Sequence, residues 1–448
     1  MSLAAVATVI ILFVLSAFLM IWNRGALIIA MLIPASDFLG WIDPSIISIK
    51  GVFDTFAMVM IFITLALLLS MGRWFELRHA GFRWPFLLMM MLFLYGLFAP
   101  VLRNDSTLSL AVNAAKEFMV ILAYPAVFLF LRTEREIRLG WKALTALGAY
   151  YCVMELLAQL GGAAFMHATS YFYRPDDFGL WKLYVQYWPV ILIFLLGAIY
   201  ASVLKGRITW ISVLLGGAGL FLTFYRSYLI ATFAAIPLVA MMSKVKLGRI
   251  AVTATTLGVV VLTALGLVSA SSAGEGKGLA AVSDDLVLSS FRELADGSGS
   301  SLAGRKRHSS ELMKLANAHP LIGYGFVKQE SALIQKLHLA TFAGGMLGFV
   351  DKGDADVLVK FGYVGGAVLY GAFVWIMIAA VIRIRRSSSE TESVHLLVVA
   401  TLAPIFLMVQ PVHAPCTYGF ALLPMFIAMA LVDRESLLLR TNGVGGLY

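Results

Sequence analysis

The chain has 448 residues, of which 60% are hydrophobic and only 13% charged, with a formal net charge of +9 and a mean hydropathy of +0.89. A soluble globular protein carries about 25% charged residues, so this composition excludes one. Repeated apolar runs of about 20 residues, each long enough to cross a bilayer, instead describe an all-α polytopic membrane protein. The positive charge does not point to nucleic acid, because Lys and Arg lie in short loops between apolar runs, where they orient helices. The two cysteines, Cys152 and Cys416, make neither a metal cluster nor a disulfide framework.

In chain order, the first run, MSLAAVATVIILFVLSAFLMIW, lacks a basic leading region and a small-residue cleavage site and reads as a retained helix rather than a signal peptide. Further apolar runs lie near 26–36, 53–71, 85–102, 110–131, 141–162, 187–204, 208–224, 227–243, 248–270, 360–382, 395–411 and 415–432, which predicts 12 or 13 transmembrane helices. Counting Lys and Arg in alternate loops orients them. One set runs from Arg73, Arg78 and Arg83 to Arg383, Arg385, Arg386, Arg434 and Arg440 and holds 17; the other, Lys50, Arg103, Arg174, Lys182 and Arg226, holds 5. The richer set belongs on the cytoplasmic side, and the C-terminus with it.

By that alternation, residues 271–359 form one large outer (periplasmic) loop inserted into a single transmembrane domain, 1–448. Loops of this length are functional or disordered. The first third is rich in Gly, Ser and Ala. From Arg305 the character changes: Leu312, Met313, Leu315 and Ala316 recur at helical spacing, Pro320 stops the helix, and Gly323 and Gly325 mark a turn. The outer loop is therefore expected to be partly helical, lying on the membrane or capping a cavity.

Ionisable residues at membrane depth are costly and face a cavity or a partner, so each is a candidate for function. Arg226, in LTFYRSYLIATF, stands at the outer junction of two apolar helices with almost no linker. It is either a snorkelling arginine or a functional one, and a tight hairpin needs no charge. Lys116 and Glu117 lie just inside the outer end of their run and, as helical neighbours, point apart. Glu155, with Gln159, sits near mid-span, where the ordinary reading is a satisfied interhelical hydrogen-bond partner. In the outer loop Arg305, Lys306, Arg307 and His308 form a cationic cluster suited to a solvated face, an anionic lipid or, through the guanidinium fork, a diphosphate. Asp351, Asp354 and Asp356 precede the run near 360. Three carboxylates without His or Cys at ligand spacing make a weak metal set, and no metal or cofactor is expected. His319, before Pro320, reads as a charge at a helix C-terminus.

Three features occur in a fixed order: an arginine at a hairpin tip (FYRSYL, Arg226); Gly304 and Arg305, then a helix and HPLIGYGF; and VDKGDADVLVKFGYVGG, whose Gly362 and Gly365 open the next span. Together they resemble the O-antigen ligase and O-antigen polymerase superfamily, bacterial membrane enzymes acting on undecaprenyl-diphosphate-linked glycans. The resemblance covers roughly the second half of the chain. It implies a type-C glycosyltransferase-like fold and metal-independent, inverting transfer of the lipid-linked glycan onto an acceptor repeat unit at the periplasmic face of the inner membrane. The partners it implies are the undecaprenyl-diphosphate-linked oligosaccharide, the acceptor glycan, membrane lipid and a chain-length regulator protein.

On this resemblance Arg226 and Arg305 stabilise the diphosphate leaving group, and Arg307, His308, Lys116 and Arg174 add to substrate binding. Asp351 is the first choice for the base and Asp354 the second, because the DKGDAD run offers more than one register. Ligases carry a His-Asn pair at the place where this chain has Asp351, which favours a polymerase over transfer of polymer to lipid A core or protein. A polysaccharide transporter or flippase would instead show inverted repeats and broken midplane helices, and a non-catalytic scaffold would lack converging Arg and Asp.

Overall fold

The computed structural model describes residues 14–35, 55–161, 188–205, 210–223, 226–243, 312–327, 331–333, 353–413 and 415–444. Every regular element among them is helical. After a helix over 14–22 come α1 (Ala26–Ala35), α2 (Thr55–Leu68), a 3-10 segment (Met71–His79), α3 (Arg83–Leu102), α4 (Leu108–Ala115), a 3-10 turn (Phe118–Leu122) and α5 (Ala123–Phe130). They are followed by α6 (Glu134–Gly161), α7 (Trp188–Lys205), α8 (Trp210–Leu222), α9 (Arg226–Ser243), a short helix over 312–318, α10 (Gly353–Ile384), α11 (Glu390–His413) and α12 (Gly419–Val444).

Among the described residues three helices, α3, α10 and α11, are long and apolar enough to cross a membrane, and five candidate spans result if two bent pairs each count as one. This is a helical membrane protein. The runs read as spans near 187–204, 208–224 and 227–243 form shorter apolar helices, and the run at 248–270 lies outside the described residues.

Local signals set the helix starts. Thr133 and Glu136 make a capping box at the head of α6: Glu136 N–H donates to Thr133 Oγ1 at 3.3 Å, and Thr133 N–H donates to Glu136 at 3.1 Å. Thr107 caps α4 by accepting from Leu110 N–H. The centre is built from α5, α11 and α12, whose residues Ala123–Phe130, Leu396–Phe406 and Ala421–Val432 are buried. A helix apolar on all sides is stable only when neighbours surround it. Here α2, α6, α7, α9 and α10 pack around that centre, and α3 packs in turn on α10.

Two elements depart from the uniform spans read in the sequence. The run 110–131 is broken at Lys116–Glu117, where α4 and the helical stretch Phe118–Phe130 meet at 65°. The span expected from about 360 belongs to a helical stretch that begins at Gly353 and is interrupted at Gly362, with φ 65° and ψ −174°. That backbone region is open in practice to glycine alone.

Candidate functional site

The interruption at Gly362 folds the chain back on itself. Tyr370 Oη donates to Asp354 Oδ1 at 2.6 Å, although 16 residues of straight helix would set the two about 24 Å apart. The arm 353–361 therefore lies back along the start of 363–384. Close approach is possible because Gly365 and Gly366 are buried beside it, with the side chains of Phe361, Val357 and Leu358 against them.

A break inside a helix strands backbone groups that need partners. The HPLIGYGF segment supplies them. Tyr324 and Gly325 N–H donate to the carbonyls of Val359 and Lys360, each at 2.8 Å. In return, Tyr363 and Val364 N–H donate to the carbonyls of Pro320 and Leu321, at 2.7 and 3.1 Å. The two glycine-rich motifs thus form one interlocked unit. Gly323, with φ +60°, fits because an added Cβ would lie 2.6–2.7 Å from Gly362 N, Phe361 N and Val359 O. Phe326 N–H donates to Gly96 O at 2.7 Å, and Arg103 Nη1 donates to Gly323 O at 2.8 Å, which fastens the unit to α3. Tyr95 Oη donates to Ile322 O. Beneath it Phe93, Phe118, Phe326 and Phe361 form a cluster with ring centroids 5.6–6.3 Å apart. The helix over 312–318, expected from its spacing, lays Leu315 and Ala316 against Tyr324 and Val359.

The folded arm carries two acids in different environments. Asp356 Oδ2 accepts from Lys360 Nζ at 2.6 Å and Thr417 Oγ1 at 2.9 Å, so a cation already balances it. Asp354 accepts from Tyr370 at Oδ1, which among the described residues is its one hydrogen-bond partner. It remains partly exposed. The arm is held at its start by Gln410, whose Nε2 donates to Gly353 O at 3.1 Å while its Oε1 accepts from Cys416 N–H at 2.9 Å. Asp354 can act as a proton acceptor without first leaving a salt bridge. Asp356 cannot.

Arg226 is the first residue of α9, which packs along α11. Two residues on, the Tyr228 ring lies 3.9 Å from Trp188; Trp188 meets Phe406 at 5.1 Å, and Phe406 meets Phe373 at 5.8 Å. Phe373 stands one turn from Tyr370, so this chain of rings links the head of α9 to the Asp354 end of α10. Lys116 lies at the bend after α4, two residues from Phe118, which touches Phe361 at 5.7 Å. Arg174, Arg305, Arg307, His308 and Asp351 lie outside the described residues. Glu155 departs from expectation: it is buried, and among the described residues neither carboxylate oxygen has a hydrogen-bond partner.

The opposite end holds a polar network that no sequence motif marks. Asp433 accepts from Phe82 N–H at 2.9 Å, from Tyr124 Oη and from Arg383. Arg383 also donates to Ser436, and Ser436 to Glu392. Beside it Glu76 is shared by Arg73 and Arg434, at 2.7 and 2.6 Å. His395 Nδ1 lies 2.7 Å from Glu435 and stacks on Trp141 at 4.0 Å. The arginines were visible as topology markers. Glu76 lies only three residues from Arg73, but Asp433 is 50 residues from Arg383 and 309 from Tyr124, so that part of the network has no mark in the sequence.

Among the described residues no three His, Cys, Asp or Glu side chains gather as a metal site would require. No family model and no curated protein matches this chain. The chemistry available among the described residues is a half-buried carboxylate, Asp354, oriented by a tyrosine on a hairpin locked by glycines.

Proposed function

We propose that this protein is a membrane glycosyltransferase of the polysaccharide polymerase type, moving an undecaprenyl-diphosphate-linked glycan onto an acceptor repeat unit at the periplasmic face of a bacterial inner membrane. The observation that carries this reading is the interlock of Pro320–Phe326 with Val359–Val364. It joins two of the three segments that resemble the family and sets Asp354 on the hairpin they stabilise. In the reaction, the acceptor hydroxyl loses its proton to Asp354 as its oxygen bonds to the anomeric carbon and the bond to the diphosphate breaks. Arg226 and Arg305 oppose the charge that grows on the departing diphosphate. The outer loop excludes water, which would otherwise hydrolyse the donor.

The test is complementation of a deletion strain, read out by its lipid-linked glycans. Deletion should leave single repeat units unpolymerised, and Asp354→Asn, Arg226→Ala and Arg305→Ala should each fail to restore polymer while inserting normally in the membrane. Full-length polymer from all three variants would overturn the assignment. Accumulation of complete polymer on the lipid carrier in the deletion strain would instead mark a ligase.

A further inference from the structure

The segment Met71–His79 turns 91° away from the helix before it, as a segment leaving a bilayer to lie along its surface would. A 3-10 helix repeats every three residues, and its side chains fall into rows. One row, Arg73 and Glu76, is turned inward and anchored: Arg73 Nη1 donates to Leu129 O at 2.5 Å, and Glu76 accepts from Arg73 at 2.7 and 2.8 Å and from Arg434 at 2.6 Å. The other two rows face out, with Met71 64%, Trp74 44% and Phe75 60% exposed.

Cations are held beside this apolar surface. The Arg78 guanidinium lies 6.0 Å from the Phe75 ring centroid, and that of Arg83 lies 5.2 Å from the exposed Trp84. Arg83 also donates to the Arg78 carbonyl, which keeps the two together. Neither has an acidic partner among the described residues, because Glu76, the acid of this segment, is engaged inward. An anchored surface helix with aromatic side chains beside uncompensated arginines matches the chemistry of an interfacial lipid site.

We propose that Arg78 and Arg83, with Trp74 and Phe75, form a binding site for an anionic phospholipid headgroup in the leaflet at this end of the molecule. The arginines take the phosphate and the exposed rings take the glycerol and upper acyl region. This site is independent of the transferase reading, and its failure would leave that reading untouched.

The test is titration of the full-length protein in mixed micelles with phosphatidylglycerol or phosphatidylcholine, counting retained lipid by native mass spectrometry. The intact protein should prefer phosphatidylglycerol. At about fivefold per basic residue, Arg78→Gln with Arg83→Gln should weaken that binding roughly 25-fold, whereas Arg138→Gln, at an exposed position paired with Glu134, should not change it. Arg78→Lys with Arg83→Lys, which keeps the charge, should retain most of the preference and covers the case in which the glutamine variant fails to fold. Inorganic phosphate should not displace the lipid, since it has nothing for the apolar rows. Equal retention of the two lipids by the intact protein, unchanged binding by the glutamine variant, or loss of preference in the lysine variant would overturn the proposal.

Discussion

At the scale of single residues, the two acids of the folded arm separate by what already surrounds them. Asp356 is neutralised by Lys360 and bonded to Thr417, so Asp356→Asn would leave a half-buried ammonium unpaired and should lower stability more than it lowers chemistry. Asp354→Asn removes a proton acceptor and should cost about 10²- to 10⁴-fold in transfer rate, with thermal stability close to that of the parent. Comparing melting temperatures with single-turnover rates for the two variants checks this, and equal rate losses would remove the distinction. Sequence spacing identified the acids but not Tyr370, since a partner 16 residues away is visible only once Gly362 is known to reverse the chain. Glu155 teaches the converse. Its mid-span position implied a satisfied hydrogen bond, yet its carboxylate lacks a partner among the described residues. An unbonded buried polar group costs about 1–3 kcal/mol, so Glu155→Leu is expected to raise thermal stability by an amount of that order. A loss of stability, measured by thermal denaturation, would mean that the carboxyl is satisfied.

At the scale of elements, apolar periodicity located the described helices, and Pro320 with the two glycines after it marked where the helix over 312–318 ends, the turn itself falling at 320–322 just before Gly323. Periodicity could not show that two helices break. Lys116–Glu117 and Gly362 sit within stretches whose average hydropathy reads as continuous, and the partners that satisfy the Gly362 break come from a segment some 40 residues earlier in the chain. Gly362→Ala should be strongly destabilising. Its backbone conformation excludes a side chain, and an added Cβ would collide with Leu321 and Ile322. The strain is of order 1–3 kcal/mol, and each of the four bridging hydrogen bonds that yields adds about 0.5–1.5 kcal/mol. Gly371→Ala, in the same helix with open space around it, is expected to be neutral or stabilising by up to about 1 kcal/mol. A parallel melt of the two variants separates loss of the interlock from a general intolerance of substitution in α10.

At the scale of the whole molecule, the two ends are built differently. The end carrying Asp354 is assembled from backbone bonds and glycine contacts, whereas the end carrying Asp433 is an ion network that joins α3, α5, α10, α11 and α12. The loop charges predicted which residues share an end, since Arg73, Arg383 and Arg434 do come together there, with Arg103 at the other. Loop arginines carry orientation whether or not an acid meets them, so the buried pairing of Arg383 and Arg434 leaves no trace in charge alone. That pairing has a pH signature through Glu76. Burial pushes its carboxyl up, but hydrogen bonds and charge from Arg73 and Arg434 outweigh this and hold it below the ordinary value. A carboxyl depressed by folding contributes stability that is present above its unfolded pKa and is lost as pH falls through the folded one. Thermal stability should thus be insensitive to this group at neutral pH and decline below about pH 4, and Glu76→Gln should flatten that decline while lowering stability at pH 7. Asp433 makes the sharper case, since its side chain is 0% exposed and Arg383 depends on it. Removing one member of a buried pair costs about 3–5 kcal/mol by leaving the other unpaired, so Asp433→Ala should destabilise the protein by that amount at every pH where Arg383 is charged. If the ends are coupled only through packing, the same variant should leave the Asp354 end intact, measured as unchanged proteolytic protection of the 320–326 segment at temperatures well below the lowered melting point.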